Sequence, residues 1–320
     1  MMIRTKICEM LGIEHPVLLA GMGGVSFSAL TAAVSKAGGM GVIGAASMEP
    51  DYLRQEIRTI KSITSKPFGV DLLMPLPDMI EAQMEVIYDE KIPVFVSGLG
   101  IPSEFIEEGH KRGMKMLCMI GKVAHALRAK EAGADVVVAQ GTEAGGHTGK
   151  IGTLALVPQV VDATGLPVIA AGGIGDGRGL AAALALGACG VIMGTRFIAT
   201  PEARATDTYR NALVKARDED TFVTRCYTGK TLRAICNDYI LDWETRPQDL
   251  KKFPQQILVS MEAGVVNFVT DGEIHDASRQ CMPAGQVSGM IHGIKPAAQI
   301  VKETVEQAER ILKQNAALVR

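Results

Sequence analysis

The stretch that decides the fold is Leu166–Phe197, LPVIAAGGIGDGRGLAAALALGACGVIMGTRF. It reads as strand, glycine turn, helix, strand and second turn. Pro167 to Ala171 is a short apolar run that ends in Gly172 and Gly173. Arg178 to Gly187 is rich in alanine and leucine, as a helix would be. Gly190 to Met193 is another apolar run, and it ends in Gly194 and Thr195. A phosphate needs backbone N–H donors, a close approach and no side chain in the way. Glycine turns at the carboxyl ends of neighbouring parallel strands supply these. Barrels of alternating strands and helices carry such a site after their last two strands. One glycine pair alone would read as a tight strand-to-helix turn; two pairs on successive strands favour the phosphate.

The same alternation runs outward from this stretch. Apolar runs at Pro16–Gly21, Gly39–Gly44, Phe68–Leu73, Ile92–Gly98, Met114–Gly121 and Asp135–Gly141 precede Pro167–Gly173 and Gly190–Phe197, eight in all. Their starts fall about 20 to 30 residues apart, which suits one strand-helix unit each. Most are continuously apolar, the mark of parallel strands buried on both faces. Helical patterns lie between them at Ser28–Ala37, Asp51–Ile63, Pro77–Asp89, Pro102–Arg112, Val123–Ala132, Pro158–Ala163 and Arg178–Leu186. Eight such units predict an α/β fold of the TIM (β/α)8 barrel type in preference to an open doubly wound sheet.

The eighth unit is interrupted. From Thr200 to Ala284 the sequence turns mixed and polar, with helical patterns at Arg204–Arg217 and Leu250–Ala263. The expected division is a barrel core over 1–199, a helical insertion or lid over 200–284, and a segment over 285–320 that returns to the barrel. The last segment ends in a helix from Pro296 to Leu318 with an apolar face of Ile300, Val301, Val305, Ala308, Ile311 and Leu312.

Composition narrows the function. The 320 residues are 47% hydrophobic and the mean hydropathy is +0.17, enough for a large core. Net charge is −2 with both signs mixed along the chain, and no basic stripe invites nucleic acid. No apolar run approaches a membrane span, and the N-terminus has no apolar signal core. The six cysteines show no CxxC and no paired ligand spacing, which fits a reduced cytoplasmic compartment and no metal site. A homodimer through the inserted helices is compatible with the sequence.

Gly39-Met-Gly-Val-Ile-Gly44 matches GxGxxG, but its glycines begin an apolar run and no helix opens after them. It reads as a glycine helix cap followed by the second strand. Gln140-Gly-Thr-Glu-Ala-Gly-Gly-His147-Thr-Gly149 is different. It follows the sixth run, and its glycines, Gly145 among them, let the loop approach a flat ligand. The His147 imidazole can act as acid or base near neutral pH. Gly21-Met22 ends the first strand as a turn or as a backbone wall against a ligand. Asp71 is a lone carboxylate near the end of the third strand, a helix cap or a polar contact to the ligand. Gln286 is a polar residue on the returning segment. A phosphate site beside a glycine loop suits a phosphorylated planar cofactor, FMN or PLP. PLP needs a lysine at a strand end, and none of the runs carries one there, so FMN is preferred.

These residues resemble the nitronate monooxygenase family and its relative, the FMN-dependent enoyl-ACP reductase II. The resemblance runs along nearly the whole chain. It rests on His15-Pro16 with Gly21-Met22, on Ala33 to Gly41, on Pro67 to Asp71 and on Glu143 to Gly149. It continues through Ala170 to Ile174, Gly194 to Phe197 and Ala284 to Gln286. The resemblance implies a TIM barrel that binds FMN noncovalently. Gly172, Gly173, Gly194 and Thr195 would hold its phosphate. Gly21, Met22 and Gln140 would lie against the ring system, His147 would face the substrate, and Gln286 would close the site. This chain has Leu19-Ala20 where members often have Gln-Gly. It has Asp71 where many have Asn, an added negative charge beside the flavin.

The expected activity is oxidation of alkyl nitronates with oxygen to a carbonyl compound and nitrite. The competing expectation is reduction of an enoyl thioester or a quinone, with NAD(P)H as co-substrate. A non-enzymatic flavin sensor and a phosphosugar isomerase are more distant readings.

Overall fold

The computed structural model describes residues 3–74, 77–266, 276 and 278–318. Residues 267–275 and 277, within the segment read as an insertion, lie outside the described residues.

The eight apolar runs become eight parallel strands: β1 (Val17–Leu19), β2 (Gly41–Gly44), β3 (Phe68–Leu73), β4 (Val94–Gly98), β5 (Lys115–Ile120), β6 (Val136–Gln140), β7 (Val168–Ala171) and β8 (Gly190–Met193). Their order in the sheet is β1-β8-β7-β6-β5-β4-β3-β2. A parallel bridge from Leu18 to Met40 joins the two ends, with Leu19 N donating to Met40 O and Met40 N to Val17 O. The sheet is a TIM barrel, as the spacing of the runs predicts.

Strand side chains alternate between two faces. Leu18, Val42, Val94, Val96, Leu117, Val136, Val138, Ile169 and Ile192 fill the interior. Their neighbours Leu19, Cys118, Val137, Ala170 and Val191 face outward under the helices. Both faces are therefore apolar, which is why the runs show no alternation.

The outer layer is α1 (Lys6–Leu11), α2 (Ser28–Lys36), α3 (Pro50–Ile63), α4 (Pro77–Asp89), α5 (Ser103–Lys111), α6 (Val123–Glu131), α7 (Thr153–Thr164) and α8 (Gly177–Ala185). The short α9 (Thr195–Ile198) follows β8, so the run read as continuing to Phe197 stops at Met193 and turns helical. Helix α7 begins five residues before the expected Pro158 start. Proline is favoured in a first turn, but here Pro158 lies inside the helix. The true start is set by Glu143, whose carboxylate accepts from Thr153 N at 2.9 and 3.0 Å.

The segment after α9 holds α10 (Asp207–Lys215) and α12 (Gln255–Glu262), as its helical patterns suggested, and α11 (Asp238–Glu244), which they did not. It also holds two strands that the sequence reading missed, β9 (Thr221–Thr224) and β10 (Leu232–Ile235). They pair antiparallel, and β10 pairs in turn with Gly146 and His147. Four-residue strands leave little periodicity to read, and their partner is a loop about 85 residues away. Helix α13 (Ala297–Ala316) closes the described chain and buries Ile300, Val301, Val305 and Ala308.

Helices α8 and α13 touch at Gly177, where an added Cβ would strike the Thr304 carbonyl and come within 2.5 Å of Ala308 N. Both are backbone atoms of α13 and cannot rotate away. Gly177→Ala is expected to cost about 1–3 kcal/mol of stability through overpacking. The shift of the urea unfolding midpoint measures it.

Candidate functional site

The inward parity of each strand decides what lines the carboxyl-end mouth of the barrel. Val136 and Val138 face inward, and two residues on so does Gln140. On β3 the outward set is Phe68, Val70 and Leu72, which leaves Asp71 pointing in. The Asp71 carboxyl sits between two strand ends. An added Cβ would lie 2.6 Å from Oδ2 at Gly21 and 3.4 Å from Oδ1 at Gly98. Asp71 is 6% exposed, and burial alone pushes its carboxyl well above the ordinary value. Burial thus works against a negative charge at this position. A protonated carboxyl donates one hydrogen bond and accepts others, much as an Asn amide does.

The Gly21-Met22 turn is held by Ser26, a residue the motif reading did not single out. Ser26 Oγ accepts from Met22 N at 2.7 Å and from Gly44 N at 3.0 Å. The Met22 Sδ reaches over Gly194, 3.4 Å from where a Cβ there would be. The ends of β1, β2 and β8 thus meet around Met22.

Gly172 and Gly173 both have left-handed φ, at 95° and 69°. A side chain on Gly172 would also lie 2.9 Å from Gly141 O and 3.0 Å from Thr153 Oγ1. Both constraints call for glycine. Beside them Gly194 leads into α9, whose first N–H groups have no acceptor within the helix. A backbone-lined turn next to unpaired N–H groups fits a phosphate. The Thr195 hydroxyl is engaged elsewhere, accepting from Gly285 N at 3.0 Å.

The loop after β6 is fixed on three sides. The Glu143 carboxylate binds Thr153 N and, at 3.0 Å, Thr153 Oγ1. The Glu143 carbonyl accepts from Gln286 N at 2.9 Å. Arg233 Nε on β10 donates to Thr142 O at 3.1 Å. Gly145 and Gly285 pack backbone against backbone; an added Cβ would fall 2.6 Å from Ala284 C at the first and 2.6 Å from Glu143 O at the second. Gln286 therefore fastens the loop through its main chain, while its side chain is exposed.

His147 sits on this fixed loop. Gln140 Nε2 donates to the His147 carbonyl at 2.6 Å, so the amide expected against the ligand orients the loop as well. His147 Nε2 lies 3.0 Å from Thr228 Oγ1, and the Phe253 ring meets the imidazole edge-on at 6.3 Å. Burial first, and the Lys230 charge second, push the imidazole down to about 4. It is neutral at pH 7, with a lone pair ready to take a proton. Thr228, Lys230 and Phe253 are the residues that no motif marked. They stand 81 or more positions from His147 and reach it only through the β10 pairing.

The structure thus brings Gly21, Met22, Asp71 and Gln140 to one mouth, with Gly172, Gly173, Gly194 and Thr195 along its rim. Gly145, His147 and Gln286 belong to the loop and segment over it. Among the described residues, no group of three or more His, Cys, Asp or Glu is arranged to hold a metal.

A family model described as nitronate monooxygenase matches residues 4–307. A probable nitronate monooxygenase from Staphylococcus aureus strain JH9 is 33% identical, covering 97% of this chain and 98% of its own. The solved structure of FabK from Thermotoga maritima superposes with a TM-score of 0.90 at 36% identity, over 99% of this chain and all of that one. The nitroalkane oxidase of Streptomyces ansochromogenes gives 0.85 at 29% identity, over 96% and 99% of the two chains.

The Asp71 environment has a measurable consequence. Its folded pKa is raised, so between the ordinary carboxyl value and that raised value the folded state holds a proton the unfolded state has lost. Stability then falls as pH rises through that window. Asp71→Asn carries no such penalty. It should raise the melting temperature over the parent more at about pH 8 than at about pH 5. An equal shift at both would mean that Asp71 is ionised in the fold.

Proposed function

The chain belongs to the nitronate monooxygenase family, and from that premise we propose that it is an FMN-dependent oxidoreductase. Its reaction is oxidation of alkyl nitronates with oxygen to a carbonyl compound and nitrite. The observation that carries the reading is the uncharged His147, fixed by Thr228 above a mouth rimmed by glycine turns. Flavoprotein nature follows from the family.

Gly172, Gly173, Gly194 and Thr195 would hold the FMN phosphate through their backbone. Gly21, Met22, Asp71 and Gln140 line the mouth where the ring system would lie, with burial favouring the protonated form of Asp71. When bound, FMN supplies the electron transfer between nitronate and oxygen. The chain's own residues handle the proton. Lys230 N donates to Thr228 Oγ1, and the Thr228 hydroxyl donates to Lys230 O, both at 3.2 Å. That assigns the imidazole hydrogen to Nε2 and the lone pair to Nδ1. With a neutral nitroalkane, Nδ1 takes the α-proton: the C–H bond breaks, an N–H bond forms, and the electron pair spreads onto the nitro oxygens. With a preformed nitronate that step is already done.

A second reading is NAD(P)H-dependent reduction of an enoyl thioester, and the likeness to FabK favours it. Here His147 would face the thioester, and a donor toward its carbonyl requires the other tautomer, with Thr228 donating to Nε2 and the hydrogen on Nδ1. Anaerobic stopped-flow mixing of the purified yellow protein separates the two. Bleaching of the oxidised-flavin band by propyl-2-nitronate alone is expected. Bleaching by NADH or NADPH, with none by the nitronate, would replace the first reading with the second. His147→Gln should slow flavin reduction by neutral nitroethane by about 100-fold or more, and reduction by the preformed nitronate far less. For nitroethane the parent rate should hold between about pH 6 and 8 and fall as the pH drops toward the His147 value.

A further inference from the structure

We infer that Lys230 is the anion-recognition residue of this site, its ammonium receiving the negatively charged oxygens of a nitronate beside His147. The inference rests on the nitronate reading and deepens it. Lys230 is built into the same unit as His147. Its N–H and carbonyl both bond to the Thr228 hydroxyl at 3.2 Å, and that hydroxyl lies 3.0 Å from His147 Nε2. Its Nζ stands 5.0 Å from the centre of the Phe253 ring, the ring that meets the His147 imidazole edge-on. An ammonium on an aromatic face is held by the ring quadrupole with most of its donors still free.

What sets Lys230 apart is its place: a half-buried ammonium against the Phe253 ring, close enough to His147 for its charge to act on the imidazole. Among the described residues, no carboxylate forms an ion pair or hydrogen bond with its Nζ, and burial is the one influence on its pKa. The lysines that pair elsewhere do so at close range, Lys61 with Glu90 at 2.8 Å and Lys295 with Glu303 at 2.7 Å. A half-buried cation with no acid partner gains most from an anion that arrives with the substrate. The rest of the site cannot supply that charge. His147 is held neutral, and Arg233 is 7% exposed and spends donors on Thr142 O and Thr221 Oγ1. A nitronate carries one negative charge shared by two oxygens, which an ammonium with free donors can take at either atom.

The test uses the flavin-loaded protein with Lys230→Met, Lys230→Gln and Lys230→Arg. Two probes are titrated: propyl-2-nitronate, by the concentration dependence of anaerobic flavin reduction, and nitrite, by calorimetry and by perturbation of the flavin band. The Met and Gln variants should bind both anions about 10-fold or more weakly, equivalent to about 1.4 kcal/mol. The limiting reduction rate should change far less than the affinity, and Arg should restore most of the binding. Anion affinities equal to the parent's in both neutral variants would overturn the inference. If nitronate fails to reduce even the parent, the functional reading falls by itself. The nitrite titration then still decides whether Lys230 receives anions.

Discussion

The carboxylate of Glu143 is the interaction on which the site's architecture depends. It binds the first N–H of α7 and the Thr153 hydroxyl, where a negative group is favoured by the helix dipole. Its main-chain carbonyl takes the N–H of Gln286. One residue thus locks the loop after β6 to the helix that follows it and to the segment that returns from far along the chain. The close approach of Gly145 to Gly285 works only because neither has a side chain. His147, four residues on from Glu143, is aimed by this bracket and by the short sheet with β10.

The electrostatics of the mouth follow from burial. Asp71 and His147 are driven in opposite directions, the carboxyl up and the imidazole down, each toward its uncharged form. Desolvation penalises whichever form carries charge, so the same cause yields both shifts.

The segment after α9 supplies much of what surrounds His147. Thr228, Lys230 and Phe253 come from it and surround the imidazole supplied by the barrel loop. The glycine turns belong to the barrel, whereas Thr228, Lys230 and Phe253 come from the segment after α9.

The barrel was legible because eight buried parallel strands must be apolar on both faces and must recur at the length of a strand-helix unit. Gly172-Gly173 and Gly194-Thr195 were legible as turns because each ends an apolar run, and at Gly172 the close backbone leaves no room for a side chain. His147 stood out as the one histidine on a glycine loop, and Gly145, Met22, Asp71 and Gln140 by their strand-end positions. What the sequence could not convey was anything set by contact between distant segments. The start of α7 depended on a carboxylate ten residues earlier, and the strands at 221–224 and 232–235 on pairing with each other and with His147. The upward shift of Asp71 and the downward shift of His147 arose only when folding withdrew them from water. Local pattern reports what a residue needs from its own neighbours in the chain; charge state and partnership are settled by those that folding brings near.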